Sequence, residues 1–128
     1  MSEPRLTASP LGPYTVVRIH GDLSYSHTAS DDLSPALAEV LTTAGPTGVI
    51  LDLSGLEFCD SSGLRLLISA YRRTAASGVP FVMCGVQPKV ARLLETTGLD
   101  LQFPLSKDLP QARRHLDATA TRPGADGV

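Results

Sequence analysis

Asp60, Ser61, Ser62 and Gly63 stand in succession a short connection after the apolar stretch Val49-Ile50-Leu51-Asp52-Leu53, at the start of a helical pattern. An acid, two hydroxyls and a glycine there suit two kinds of chemistry. The first is structural: a side-chain oxygen of Asp60 or Ser61 accepts a free N–H of the first turn, a cap worth about 0.5–2 kcal/mol. One such residue is enough for a cap. The second hydroxyl and the glycine are surplus to it, and they point to a serine in open surroundings at the positive end of a helix dipole. A phosphoryl group on that serine would meet a favourable dipole and nearby N–H donors, with no side chain on Gly63 to crowd it. Its charge of about −1.5 to −2 would alter recognition more than folding.

Other residue types invite weaker readings. Asp22, Asp52, Glu57 and Asp60 all fall near strand ends, which raises a metal or acid–base site. Asp52, however, lies inside an apolar run, where a carboxylate is expected to be hydrogen-bonded in place. A phosphoaccepting aspartate of receiver type would want an acidic pair after the first strand, and only Asp22 stands there. His20, His27 and His115 share no ligand spacing and read as surface residues. Cys59 and Cys84 are too few for a disulfide framework or a four-ligand zinc site, and read as small buried thiols. Arg72-Arg73 and Arg113-Arg114 read as solvated helix faces, either of which could meet an acidic partner. The chain has no GxxxxGK[ST] phosphate loop, so ATP is expected to belong to a partner.

The elements that position these residues alternate between strand and helix. Thr15, Val17 and Ile19 share one face of the segment Tyr14 to His20, and Tyr14, Val16, Arg18 and His20 the other, which predicts a half-buried strand. Leu6 to Ser9 would be its hairpin partner, joined through Leu11-Gly12-Pro13. Leu33, Ala36, Leu37, Val40 and Leu41 predict a helix capped by Ser30 or Asp31, with Pro35 tolerated in its first turn. Val49 to Leu53 predicts a central strand covered on both faces, reached before a loop that carries Glu57 to Asp60. Leu64, Leu67, Ile68 and Tyr71 predict a helix ending at Ser77-Gly78, and Val79 to Cys84 a further buried strand. Gln87-Pro88 opens a helix with Val90, Leu93 and Leu94 inward and Gly98 at its end. A short strand around Leu101 to Phe103 and a helix from Lys107 to Leu116 complete the order.

The sum is an α/β protein: a single domain with a mainly parallel sheet of about five strands and about four helices packed against it. Residues 1–4 read as a flexible N-terminus, 5–117 as the domain and 118–128 as a disordered tail. Eleven Lys+Arg against thirteen Asp+Glu leave a net charge of −2, which argues against a nucleic-acid partner. No apolar run approaches the ~18 residues of a bilayer crossing, and MSEPRLTASP lacks a secretory signal, so a cytoplasmic protein without membrane insertion is expected.

Taken together, these pieces resemble the STAS-domain anti-sigma factor antagonists of bacteria. The residues that carry the resemblance are Gly21-Asp22-Leu23, Thr28-Ala29 leading into a helix with Leu33, and Ile50-Leu51-Asp52-Leu53. Phe58-Cys59-Asp60-Ser61-Ser62-Gly63-Leu64 and Arg92-Leu93-Leu94 with Gly98-Leu99 complete them, so that nearly the whole domain is covered. The resemblance implies a STAS fold and a regulator that is not an enzyme. By it, the unphosphorylated chain binds an anti-sigma factor with serine/threonine kinase activity and frees the sigma factor. The kinase uses ATP to modify Ser61, with Ser62 as the alternative acceptor; modification abolishes binding, and a serine phosphatase restores it. Asp22, Ser24, Asp60, Ser61, Ser62, Gly63, Leu64 and Arg65 are the implied contact residues, and no cofactor is implied for the chain itself. Arg65 stands where the family usually has a small residue, and Ser24 where it often has an acid, with the stretch to Thr28 one residue longer. Both departures bear on which partner is recognised. The alternative is a STAS scaffold or accessory domain that binds a protein partner without a phosphorylation cycle.

Overall fold

The computed structural model describes residues 5–23, 38–40 and 47–120. Strands β1 (Arg5–Leu11) and β2 (Tyr14–Leu23) form the expected antiparallel hairpin. After them come β3 (Val49–Asp52), β4 (Leu56–Cys59), α1 (Ser61–Ser77), β5 (Phe81–Cys84) and α2 (Pro88–Thr97). A 3-10 turn (Leu99–Leu101), β6 (Leu105–Ser106) and α3 (Leu109–Ala120) complete the described order. Residues 38–40 are helical; the rest of the helix predicted around Leu33 to Leu41, together with Ser24, His27, Thr28 and Ala29, lies outside the described residues.

The strands make one mixed sheet in the order β1-β2-β3-β5-β6, with β4 paired to β2 off this path. All pairs except β1–β2 are parallel. Every residue of β3 and β5 is buried, which is why β5 reads in sequence as an unbroken apolar run and β3 as one broken only by the carboxylate of Asp52. On one face Val17, Ile19, Leu51 and Met83 meet Leu64, Leu67 and Ala70 of α1 and Val90 and Leu94 of α2. On the other, Tyr14, Val16, Ile50, Val82 and Cys84 meet Ala112 and Leu116 of α3. Burying each large aliphatic side chain in these layers contributes about 1.5–3 kcal/mol. Because α3 covers Tyr14 and Val16, β2 is buried on both faces over that stretch, where its alternation predicts one covered face. Tyr14 OH donates to Asp117 Oδ1 at 2.5 Å and ties α3 to the hairpin; burial, then the Asp117 carboxylate, raise the tyrosine's pKa.

The structure corrects three boundaries. Glu57 and its neighbours belong to a strand, β4, where the sequence predicts a loop. Leu101 closes a 3-10 turn, and the last strand forms two residues after Phe103, at Leu105–Ser106. The last helix starts at Leu109, because Asp108 accepts from Gln111 N at 3.0 Å and so sits at its cap, and it continues to Ala120, past the Asp117 boundary.

Candidate functional site

β2 changes partner along its length. Thr15 to Arg18 pair with β3, and Gly21 to Leu23 pair with β4. The exchange is made by a tight return of the chain after β3: Leu56 N donates to Leu53 O at 3.0 Å, and Gly21 N to Gly55 O at 2.9 Å. The pairing then sets Asp22 opposite Phe58 and Leu23 opposite Cys59, with an irregular register between Gly21 and Asp22. Two segments distant in sequence, the one after Gly21 and the one at Asp60, thereby become neighbours at the carboxyl edge of the sheet, where α/β proteins gather their functional groups. Asp22 itself is buried.

Asp60 follows β4 directly and caps α1. Its backbone is extended (φ −103°, ψ −175°), its carboxylate accepts from Gly63 N at 2.9 Å, and Leu64 N closes the first helical bond on Asp60 O at 3.0 Å. Of the two capping candidates, Asp60 is the cap, and Ser61 and Ser62 are the first two residues of the helix. The backbone N–H groups at these positions have no intrahelical acceptor, so an anion attached here would sit at the positive end of the dipole. Gly63 and Leu64 are buried, Leu64 in the core beneath α1, so they shape the turn while Arg65 is exposed. The structure therefore brings Asp22, Asp60, Gly63, Leu64 and Arg65 together around the start of α1. Ser24 lies outside the described residues, as do the side chains of Ser61 and Ser62.

The other carboxylates are engaged or at the surface. Asp52 is buried; Arg18 Nε donates to its Oδ2 at 2.8 Å and Ser54 N to its Oδ1 at 3.0 Å. Burial works to raise its pKa, but the bonds from Arg18 and Ser54 outweigh it and hold the carboxyl below the usual range. Glu57 is exposed on β4. Cys59 and Cys84 are free buried thiols. Burial, helped by Asp60 for Cys59 and mainly by Asp52 for Cys84, pushes both up to about 12, so neither is a nucleophile at neutral pH. An open cavity of about 600 Å³ touches Arg18, His20, Asp52 and Asp108 at the start of α3, but Arg18 and Asp52 are already bound to each other there.

Phe58 lies in the segment that carries the family resemblance but outside the contact residues the resemblance implies. It is 43% exposed on β4, directly across from Asp22 and two positions before the cap. An aromatic ring left open beside the Asp60 turn is suited to anchoring a partner. The signal that could have found it is the apolar pair Phe58-Cys59 in a stretch otherwise read as loop.

A model of the STAS domain family matches residues 7–112. An anti-sigma F factor antagonist from Paenibacillus polymyxa is 30% identical over 105 residues, which are 82% of this chain and 88% of that protein. Among solved structures, an anti-sigma factor antagonist from Mycobacterium paratuberculosis is 25% identical with a TM-score of 0.79, over 90% of this chain and 95% of that one. RsbS from Moorella thermoacetica is 28% identical with a TM-score of 0.75, over 91% of this chain and 97% of that one.

Proposed function

We propose, from the premise that this chain belongs to the STAS domain family, that it is an anti-sigma factor antagonist whose docking is switched by phosphorylation of Ser61. The observation that supports the reading is the β2–β4 pairing, which sets the segment at the buried Asp22 beside the strand that leads into the Asp60-capped start of α1, where Phe58 and Arg65 are exposed. In the unmodified state this surface binds an anti-sigma factor with serine/threonine kinase activity, and the sigma factor is released. The kinase, using its own ATP, transfers the γ-phosphoryl group to the Ser61 hydroxyl. The protein that results carries a dianion within the contact, which costs on the order of 2–5 kcal/mol of affinity by analogy with unpaired interfacial charges. At about 1.4 kcal/mol per decade, binding weakens by tens to thousands. A serine phosphatase restores the docking form. The setting is cytoplasmic, and no described helix is long and apolar enough to cross a membrane.

Capture of partners with the unmodified chain, followed by incubation of the recovered anti-sigma factor with the chain and ATP, tests the reading. Mass spectrometry is expected to find phosphate on Ser61 and none on a Ser61→Ala variant. Phosphate on Ser62 instead would move the acceptor by one residue, and equal labelling of Ser61→Ala would remove the assignment altogether.

A further inference from the structure

Helix α1 carries Arg65, Arg72 and Arg73 and no acidic residue. None of the three lies in the last turn, where the helix dipole would favour a cation. All are exposed, and none of their side chains makes a hydrogen bond or ion pair with another described residue. Nothing in the fold accounts for such a concentration of cations on a chain whose net charge is −2.

Their arrangement forms a surface. Arg65, Ile68, Ser69 and Arg72 recur at three- and four-residue spacing and so share one face of the helix. With Arg73 they line an open groove of about 470 Å³. Ile68 is half-buried and gives the groove an apolar floor, which the arginine stems extend. The seven-residue step from Arg65 to Arg72 sets their attachment points about 10 Å apart along the axis. Guanidinium groups at the rim of an apolar trough fit carboxylates flanking an aliphatic side chain. They fit a polyphosphate backbone poorly, because so short a face makes few phosphate contacts and the rest of the chain repels it.

We infer that the groove lined by Arg65, Ile68, Ser69, Arg72 and Arg73 receives an acidic, amphipathic segment of the anti-sigma factor, its carboxylates on the arginines and an aliphatic side chain over Ile68. The inference rests on the antagonist reading and deepens it. Ser61 stands four residues before Arg65 in the helix, the spacing at which a phosphate on it would compete with the incoming carboxylate for Arg65. The switch then removes an attraction as well as adding a repulsion.

The test uses the anti-sigma factor recovered by capture, titrated with the full chain from low to high salt. The Arg65→Glu/Arg72→Glu double variant, changed at exposed positions only, is expected to bind about 10- to 100-fold more weakly at low salt and to lose most of the salt dependence. Arg65→Lys/Arg72→Lys is expected to keep most of the affinity, and Arg114→Gln on α3 to behave as the unaltered chain. Equal affinity and equal salt dependence for the double reversal would overturn the groove while leaving the antagonist reading in place. Failure of the unmodified chain to bind any anti-sigma factor would remove both.

Discussion

Arg18 and Asp52 are register partners in the β2–β3 pair, and Arg18 Nε donates to Asp52 Oδ2 at 2.8 Å. The pair closes the end of β3 just before the chain turns away to make β4, so it braces the strand exchange on which the site depends. Asp52 is 5% exposed at its side chain and Arg18 42%, so solvent screens one partner only. Asp52→Ala is expected to cost about 1–3 kcal/mol in urea unfolding, since it also leaves Ser54 N without its acceptor. Because the folded carboxyl is held below its unfolded value, its stabilisation is complete above about pH 5, begins to fall near the unfolded value and is lost as pH falls through the folded value. The stability gap between the unaltered chain and Asp52→Asn should therefore stay constant at neutral pH and narrow in acid.

Asp60 caps α1 through Gly63 N, and the cap fixes where the helix begins and thus where Ser61 stands. Asp60→Ala is expected to lower stability by about 0.5–2 kcal/mol, and Asp60→Asn by less, because the amide oxygen still accepts. Denaturant midpoints measured on the three proteins check the order.

Gly78 and Gly85 share a left-handed backbone, with φ 71° and 70°. A Cβ on Gly78 meets nothing within 4 Å, whereas one on Gly85 falls 3.0 Å from Asp52 Oδ1 and 3.1 Å from Ser54 N. Gly78→Ala is expected to cost about 1–2 kcal/mol of backbone strain alone. Gly85→Ala should cost more and be non-additive with Asp52→Ala, which a double-mutant cycle measures.

Cys59 and Cys84 are both pushed up to about 12 by burial and nearby carboxylates. In the native protein at mildly alkaline pH, alkylation by iodoacetamide should be slow at both, and denaturant should make both react together. Rapid native labelling of Cys59 would mean that the β4 end opens.

The parts of the fold that could be read from sequence are those where burial dictates composition. Val49 to Asp52 and Phe81 to Cys84 are covered on both faces and admit almost nothing but apolar residues. The start of α1 was legible from its local cluster of acid and hydroxyls, while the choice of Asp60 over Ser61 as the cap came only with the bond from Gly63 N. β4 was not, because Leu56–Cys59 has only its two ends buried, and its existence depends on hydrogen bonds from the far end of β2. A strand without alternation, paired through a partner more than thirty residues earlier, carries no local period to detect. The Arg18–Asp52 bond likewise needed the strand register. Of the site, Asp22 and Asp60 could be named from the chain, but their adjacency is a property of the sheet. The arginine groove lay partly in view, since α1 lacks acids, yet Arg72-Arg73 alone reads as an ordinary solvated face.

A phosphate on Ser61 is expected to undo docking while the fold stands. Installing phosphoserine at position 61 during synthesis of the chain, and titrating the modified and unmodified proteins with the captured anti-sigma factor, tests it without reliance on the kinase step. The far-ultraviolet circular dichroism spectrum is expected to be unchanged and the affinity lower by tens to thousands, as the cost of an interfacial dianion requires. Equal affinity of the two forms would contradict it and favour a scaffold that binds its partner whatever the state of Ser61.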